Sequence, residues 1–131
     1  MIPAEAFVDD PTISDDAILW RRIPPYWWIL DENMGRVRPT SQAFHDDANG
    51  GPMSVLLRDV MVSEGRGPED ALRGHHGFAL ASFTAGLARS LQQSVCRDPV
   101  ESEPAHGVVI GKKSRACKKL AKEAQWVIPP R

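Results

Sequence analysis

Twelve residues near the C-terminus, Gly111 to Lys122 (GKKSRACKKLAK), hold all five lysines of the chain together with Arg115. Read as a strand that delivers Gly111 to the start of a helix, this segment gathers free backbone amides, the positive end of a helix dipole and several cations. That chemistry suits a phosphate or a nucleic-acid backbone. The anion-binding candidates are Gly111, Lys112, Lys113, Ser114, Arg115, Lys118 and Lys119. The segment is not a P-loop: G-x-x-x-x-G-K-[ST] needs Gly where His106 stands and Ser or Thr where Lys113 stands. On a helix, Ala116, Leu120 and Ala124 share one stripe while Arg115, Lys118, Lys119 and Lys122 share another. The same residues therefore also describe a solvated basic helix docked by its apolar side.

Three further sets of residues have chemistry to offer. Arg21 and Arg22 sit in AILWRRIPP; on a strand they point to opposite faces, and whichever points inward needs an acidic or anionic partner. His75 and His106 are candidate acid–base groups, since histidine titrates near neutral pH. Ser41 and Ser54 lie on neighbouring short segments, and no G-x-S-x-G elbow surrounds either. No H-x-x-x-H or C-x-x-C pair is present, so the sequence predicts no metal site, and no cofactor motif is found. Trp20, Tyr26, Trp27 and Trp28 concentrate aromatics within nine residues. Alternating strands cannot turn all four inward, which makes them candidates for a partner-binding surface.

The elements that must position these groups follow from pattern and punctuation. Residues 1–16 read as an irregular arm, with Pro3, Pro11 and two acidic pairs, pinned by Phe7 and Val8. Strands are expected at 17–23, 26–30, 53–58, 94–97, 105–110 and 126–128, with a short extended piece at 36–38 before Pro39. Pro68, with Glu69 and Asp70 behind it, opens a short helix that Gly74 closes. Phe78 to Leu91 (FALASFTAGLARSL) has apolar residues at near-helical spacing and one charge, Arg89, and is predicted as a central apolar helix. A basic helix is expected over 114–125. Early strands and later helices imply an α+β class: one domain over 17–131, with a small, mostly antiparallel sheet packed by the central helix and the C-terminal basic helix.

Composition bounds the rest. The chain has 131 residues, 42% hydrophobic and 25% charged, enough for one core without a disulfide or metal staple. Residues 1–65 carry 11 acidic and 5 basic side chains, and residues 66–131 carry 6 and 11. The split implies one acidic and one basic surface unless folding interleaves the halves. Two cysteines, no signal-like N-terminus and no apolar run of membrane length predict a cytoplasmic protein that uses no membrane.

The blocks LWRRIPPYWWILDENMGRVRPTSQAF, PMSV, EPAHGVVIGKK and WVIPP resemble a group of short bacterial proteins. Residues 17–58 also resemble RES-domain and other ADP-ribosyltransferase-like proteins. Those place an Arg on an early strand, here Arg21 or Arg22, then a Gly-Arg segment, here Gly35-Arg36, then a short strand at Ser or Tyr, here Met53-Ser54-Val55. That resemblance implies a nucleotide-handling enzyme using Arg21 or Arg22 with Ser41, Ser54 and His106. No residue matches the catalytic Glu such proteins carry later in the chain. With the catalytic set incomplete, the leading expectation is an accessory protein that docks a protein partner or itself, of the kind a defence or toxin-related operon encodes. A nucleotide-handling enzyme is the alternative, as is nucleic-acid or phosphate binding through 111–122.

Overall fold

The structure is a computed structural model that describes residues 8–131. Its strands are β1 (Ile18–Ile23), β2 (Trp28–Asp31), β3 (Arg36–Pro39), β4 (Met53–Leu57), β5 (Ala79–Thr84), β6 (Ser94–Arg97), β7 (His106–Ile110) and β8 (Gln125–Ile128). Its helices are α1 (Arg58–Ser63), α2 (Pro68–Ala71), α3 (Ala85–Ser90) and α4 (Ala116–Glu123). Six strands form one sheet in the order β6-β7-β4-β1-β5-β8, and β2 and β3 form a separate two-stranded ribbon. Every pairing in the large sheet is antiparallel. The fold is α+β.

Side chains alternate across a strand, so the sheet has two faces to cover. One face presents Leu19, Ile23, Met53, Val55, Leu57, Phe83 and Val109. It packs against Ala85 and Ala88 of α3, Cys117, Leu120 and Ala121 of α4, and Ala43 and Phe44 of a 3-10 turn, Ser41–Phe44. The other face presents Trp20, Leu56, Leu80 and Ile128 to Met61 of α1 and Ala71 of α2. The stripe Ala116, Leu120 and Ala124 is buried, as the spacing predicts.

The central helix expected over 78–91 is instead strand β5 followed by helix α3. Leu80, Ala81 and Phe83 are buried on both sides of the sheet, so this central strand lacks the polar alternation that would mark it. Its small residues imitate a helical face. The switch to helix falls at Thr84, whose Oγ1 accepts the Leu87 amide at 3.0 Å as an N-cap.

Residues 8–17 form turns and contain neither helix nor strand. Phe7 lies outside the described residues, and Val8 is exposed. The Asp10 amide donates to the Val95 carbonyl at 2.9 Å, Ile13 is buried, and Arg89 bonds Asp9 at 3.1 Å and Asp15 at 2.8 Å. Arg97 meets Asp10 at 3.4 Å and Lys113 meets Asp46 at 3.0 Å. The acidic first half and basic second half are thus interleaved at these pairs, which corrects the picture of two opposed charged surfaces.

Phe44 is fully buried and meets Phe83 edge-to-face, ring centroids 6.0 Å apart. It joins the 3-10 turn to the sheet. Phe44→Ala is expected to destabilise the protein by about 3–5 kcal/mol, measured as a fall in urea midpoint with an unchanged m-value.

Candidate functional site

Strands β1 and β4 pair only at Leu19 with Leu57 and Trp20 with Leu56. Beyond that point β1 continues along β5 as far as Ile23, while β4 runs along β7 from Met53. Where the two part, a cleft of about 190 Å³ opens, lined by Arg21, Arg22, Ser54 and His106, with Trp20, Leu56 and Phe78 among its apolar walls. Trp20, Leu56 and His106 lie in one cross-strand row. Their two-residue period puts Arg22 and Ser54 on the same face of the sheet.

Arg21 projects the other way. Its Nε donates to the Ala43 carbonyl at 2.9 Å, and its Nη1 donates to the Ser54 carbonyl at 2.7 Å and reaches Asp47 Oδ1 at 3.4 Å. Burial lowers the pKa of this guanidinium, an effect opposed by Asp47. Its role is to tie β1 to β4 and to the loop that carries Asp47.

Arg22 is half-buried, and among the described residues only its Nε is bonded, to the Ala71 carbonyl at 2.6 Å. Among those residues neither Nη makes a hydrogen bond and no carboxylate forms an ion pair with Arg22. Burial lowers its pKa as well, with Glu103 opposing. Glu103 itself is engaged by Arg66, at 2.9 Å and 2.5 Å.

Ser54 and His106 meet on this face. His106 Nδ1 lies 2.8 Å from the Asp98 carbonyl and 3.2 Å from Asp98 Oδ2. Both are acceptors only, so Nδ1 carries a proton. In the neutral ring Nε2 then presents its lone pair to Ser54 Oγ, 3.1 Å away. Ser54 Oγ also lies 2.5 Å from Asp47 Oδ2. The hydroxyl proton therefore has two acceptors, one on each side.

Of the sequence candidates, Arg22, Ser54 and His106 share the face of the sheet on which this cleft opens, while Arg21 borders it with its guanidinium turned to the opposite face. Ser41, in the 3-10 turn, does not line it. His75 stands near Arg22, and its pKa is lowered by burial and then by that charge. Asp47 and Asp98, which complete the hydrogen-bond chain, escaped sequence reasoning. Asp47 looked like a loop acid beside His45, and Asp98 like the turn residue before Pro99. Pairing of β6 with β7 brings Asp98 to His106, and the loop that leads into β4 turns Asp47 back onto Ser54.

The aromatic and basic candidates are spread more widely. Trp20 is 3% exposed and belongs to the core, while Trp27 and Trp28 are half-buried against it. Tyr26 is 91% exposed and adopts φ 73°. In the basic segment Lys113 turns inward, where Nζ donates to Asp46 and to the Val109 and Gly111 carbonyls, each at 3.0 Å. Burial pulls its pKa down and Asp46 opposes this. Gly111 adopts φ 149°, a conformation that side chains with a Cβ rarely take, and a Cβ there would also lie 2.7 Å from the end of the Gln93 side chain. Lys112, Ser114, Arg115, Lys118 and Lys119 are exposed. Helix α4 begins at Ala116, two residues later than its predicted start.

Glu103 orders the approach to His106: its carboxylate accepts the Ala105 amide at 3.1 Å and its carbonyl accepts the His106 amide at 3.2 Å. The bond from Arg66 holds the Glu103 carboxyl below its ordinary value of 4.5. A depressed carboxyl stabilises the fold above its unfolded value, and that stability is lost as pH falls through the folded value. The stability gap between wild type and Glu103→Gln is therefore expected to shrink as pH falls from about 5 to about 3, read from urea midpoints across that range.

Comparison with known proteins gave no match: no family model, no curated protein and no solved structure matches this chain.

Proposed function

We propose that the cleft between β1 and β4 binds a small phosphoryl-bearing ligand, with Arg22 as its anion contact. The observation that carries this reading is the Arg22 guanidinium. It stands half-buried in a cleft wall with only Nε bonded among the described residues. Glu103, the acid whose charge acts on it, is already committed to Arg66. A partly desolvated guanidinium gains strongly from an anion, and two adjacent Nη groups match the fork of a phosphate. Ser54 Oγ and His106 Nε2 add polar contacts in the same cleft, and Phe78 with Leu56 offers an apolar wall to whatever the phosphate is attached to. Nucleotide handling, the chemistry implied by the resemblance of residues 17–58, fits that combination.

The test is an amide-shift titration of the protein with inorganic phosphate and with adenosine monophosphate. Shifts are expected at Arg22, Ser54 and His106. A charge-assisted contact of about 1.5–3 kcal/mol implies a loss of roughly 10- to 100-fold in affinity for Arg22→Ala. Absence of saturable shifts at these three residues with either probe would overturn the reading.

A second reading, docking of a protein partner, is favoured by the β2–β3 ribbon. Ile29 and Leu30 are 50% and 59% exposed on opposite sides of it, and Tyr26 stands beside them. Apolar exposure on both faces of a ribbon outside the main sheet is characteristic of a contact surface. Sedimentation at rising concentration and affinity capture, each compared with a Tyr26→Ser/Leu30→Lys variant, decide it. Complexes that the variant loses support docking. Complexes that it retains, or none at all, count against it.

A further inference from the structure

We infer that Ser54 is a nucleophile, with His106 as its general base and Asp98 as the residue that positions His106, acting on the phosphoryl group of a phosphate ester bound in the cleft. The inference rests on the cleft being a phosphoryl site and goes beyond it by assigning a reaction. Three pieces of geometry carry it. Ser54 Oγ and His106 Nε2 are 3.1 Å apart, within proton-transfer distance. Asp98 offers two acceptors to Nδ1, at 2.8 Å and 3.2 Å, which fixes the tautomer whose Nε2 is free to accept. Base held by an orienting acid and facing a hydroxyl is the arrangement by which a weak nucleophile is activated. Arg22, in the same cleft, supplies positive charge where the phosphoryl oxygens gain negative charge.

The step balances as follows. Ser54 Oγ attacks phosphorus and its proton passes to His106 Nε2. The P–O bond to the leaving alkoxide breaks on the opposite side of phosphorus, in line with the attack, where that oxygen takes a proton from solvent while His106 keeps the serine proton. A phosphoseryl intermediate results. Water then attacks phosphorus from the vacated side and gives its proton to solvent, the P–O bond to Ser54 breaks, and the imidazolium returns its proton to Ser54 Oγ, restoring the hydroxyl with release of the phosphate. No oxidant or reductant is needed. Asp47, 2.5 Å from the same hydroxyl, is the competing proton acceptor and holds Ser54 in place before the ligand arrives.

The experiment uses an alkyl fluorophosphonate, with which Ser54 would form the same O–P bond while fluoride leaves. The full chain is incubated with the probe, its intact mass is followed over time, and the adduct is mapped by peptide sequencing. One adduct on Ser54 is expected, absent in Ser54→Ala and formed about 100-fold more slowly in His106→Gln. Asp98→Asn keeps the backbone acceptor and removes the carboxylate, so labelling is expected to slow, and Asp98→Glu to recover part of the rate, a rescue that a merely structural role would not give. Lack of a Ser54 adduct on the wild-type chain overturns the nucleophile, whatever the variants do. Loss of labelling in Asp47→Asn with full labelling in His106→Gln overturns His106 as the base. The phosphate titration separates the two levels. Saturable phosphate shifts without labelling retain the binding site and reject the reaction, while absence of both rejects the site.

Discussion

The arrangement depends on a ladder that stops. β1 and β4 are neighbours in the sheet, yet they pair only at Leu19/Leu57 and Trp20/Leu56. Parting two strands inside a sheet leaves backbone groups that need new partners, because buried carbonyls and amides are almost always bonded. Arg21 provides them from the strand that departs. Its guanidinium takes the Ser54 carbonyl on β4, the Ala43 carbonyl on the 3-10 turn and the Asp47 carboxylate on the following loop. The carbonyls are taken by two different nitrogens of one rigid plane, Nε and Nη1, an arrangement that the single nitrogen of a lysine does not reproduce. The gap is consequently a built feature, and the residues on its rim are placed by it.

The same bond set determines what Ser54 can do. Its carbonyl is held by Arg21, and its hydroxyl lies between Asp47 on the loop side and His106 on β7. Asp47 is thus shared by Arg21 and Ser54, so the charge that tolerates a buried guanidinium also sits beside the hydroxyl. On the far side of the cleft Arg22 is held at Nε alone. Two consecutive arginines have opposite fates: one is consumed by the architecture, and the other borders the cleft with its terminal donors unbonded among the described residues. Strand alternation alone produces that division of labour.

Much of this was legible in the sequence. Pro24-Pro25 marked the end of β1, Asp98-Pro99 the end of β6, and Gly111 the end of β7, because each is a local punctuation that does not depend on distant contacts. The alternation that separates Arg21 from Arg22 was equally local. Phe78–Leu91 misled because a strand buried on both faces and a helix of small apolar residues look alike until the neighbours are known. Lys113 was hidden among exposed lysines, since nothing in GKKSR distinguishes the one that turns inward to Asp46. Asp47 and Asp98 could not be found either. Their roles come from contacts outside local pattern: β6 pairs with β7 and sets Asp98 beside His106, and the loop before β4 folds Asp47 back onto Ser54. The charge split was real in sequence, yet Arg89, Arg97 and Lys113 cancel part of it against Asp9, Asp15, Asp10 and Asp46.

Cleft and ribbon are joined by one strained turn. Trp27 donates to the Pro24 carbonyl at 3.2 Å, with Pro25 and Tyr26 between them and Tyr26 at φ 73°. That is the position where a type II turn ordinarily takes glycine, and a tyrosine there costs about 1–3 kcal/mol. Such a conformation persists only where its surroundings over-determine it. Pro25 has its φ fixed by its ring and packs on Gly77, where a Cβ would come within 3.2 Å of Pro25 Cγ. Behind it, the Trp27 carbonyl accepts the Thr40 amide at 3.0 Å, which ties the turn to the end of β3. Pro24 lines the cleft on one side of this turn, and Tyr26 stands fully out on the other. The backbone of residue 26 is therefore held at a fixed position relative to Arg22 and Ser54, and its strain is the physical cost of holding it there.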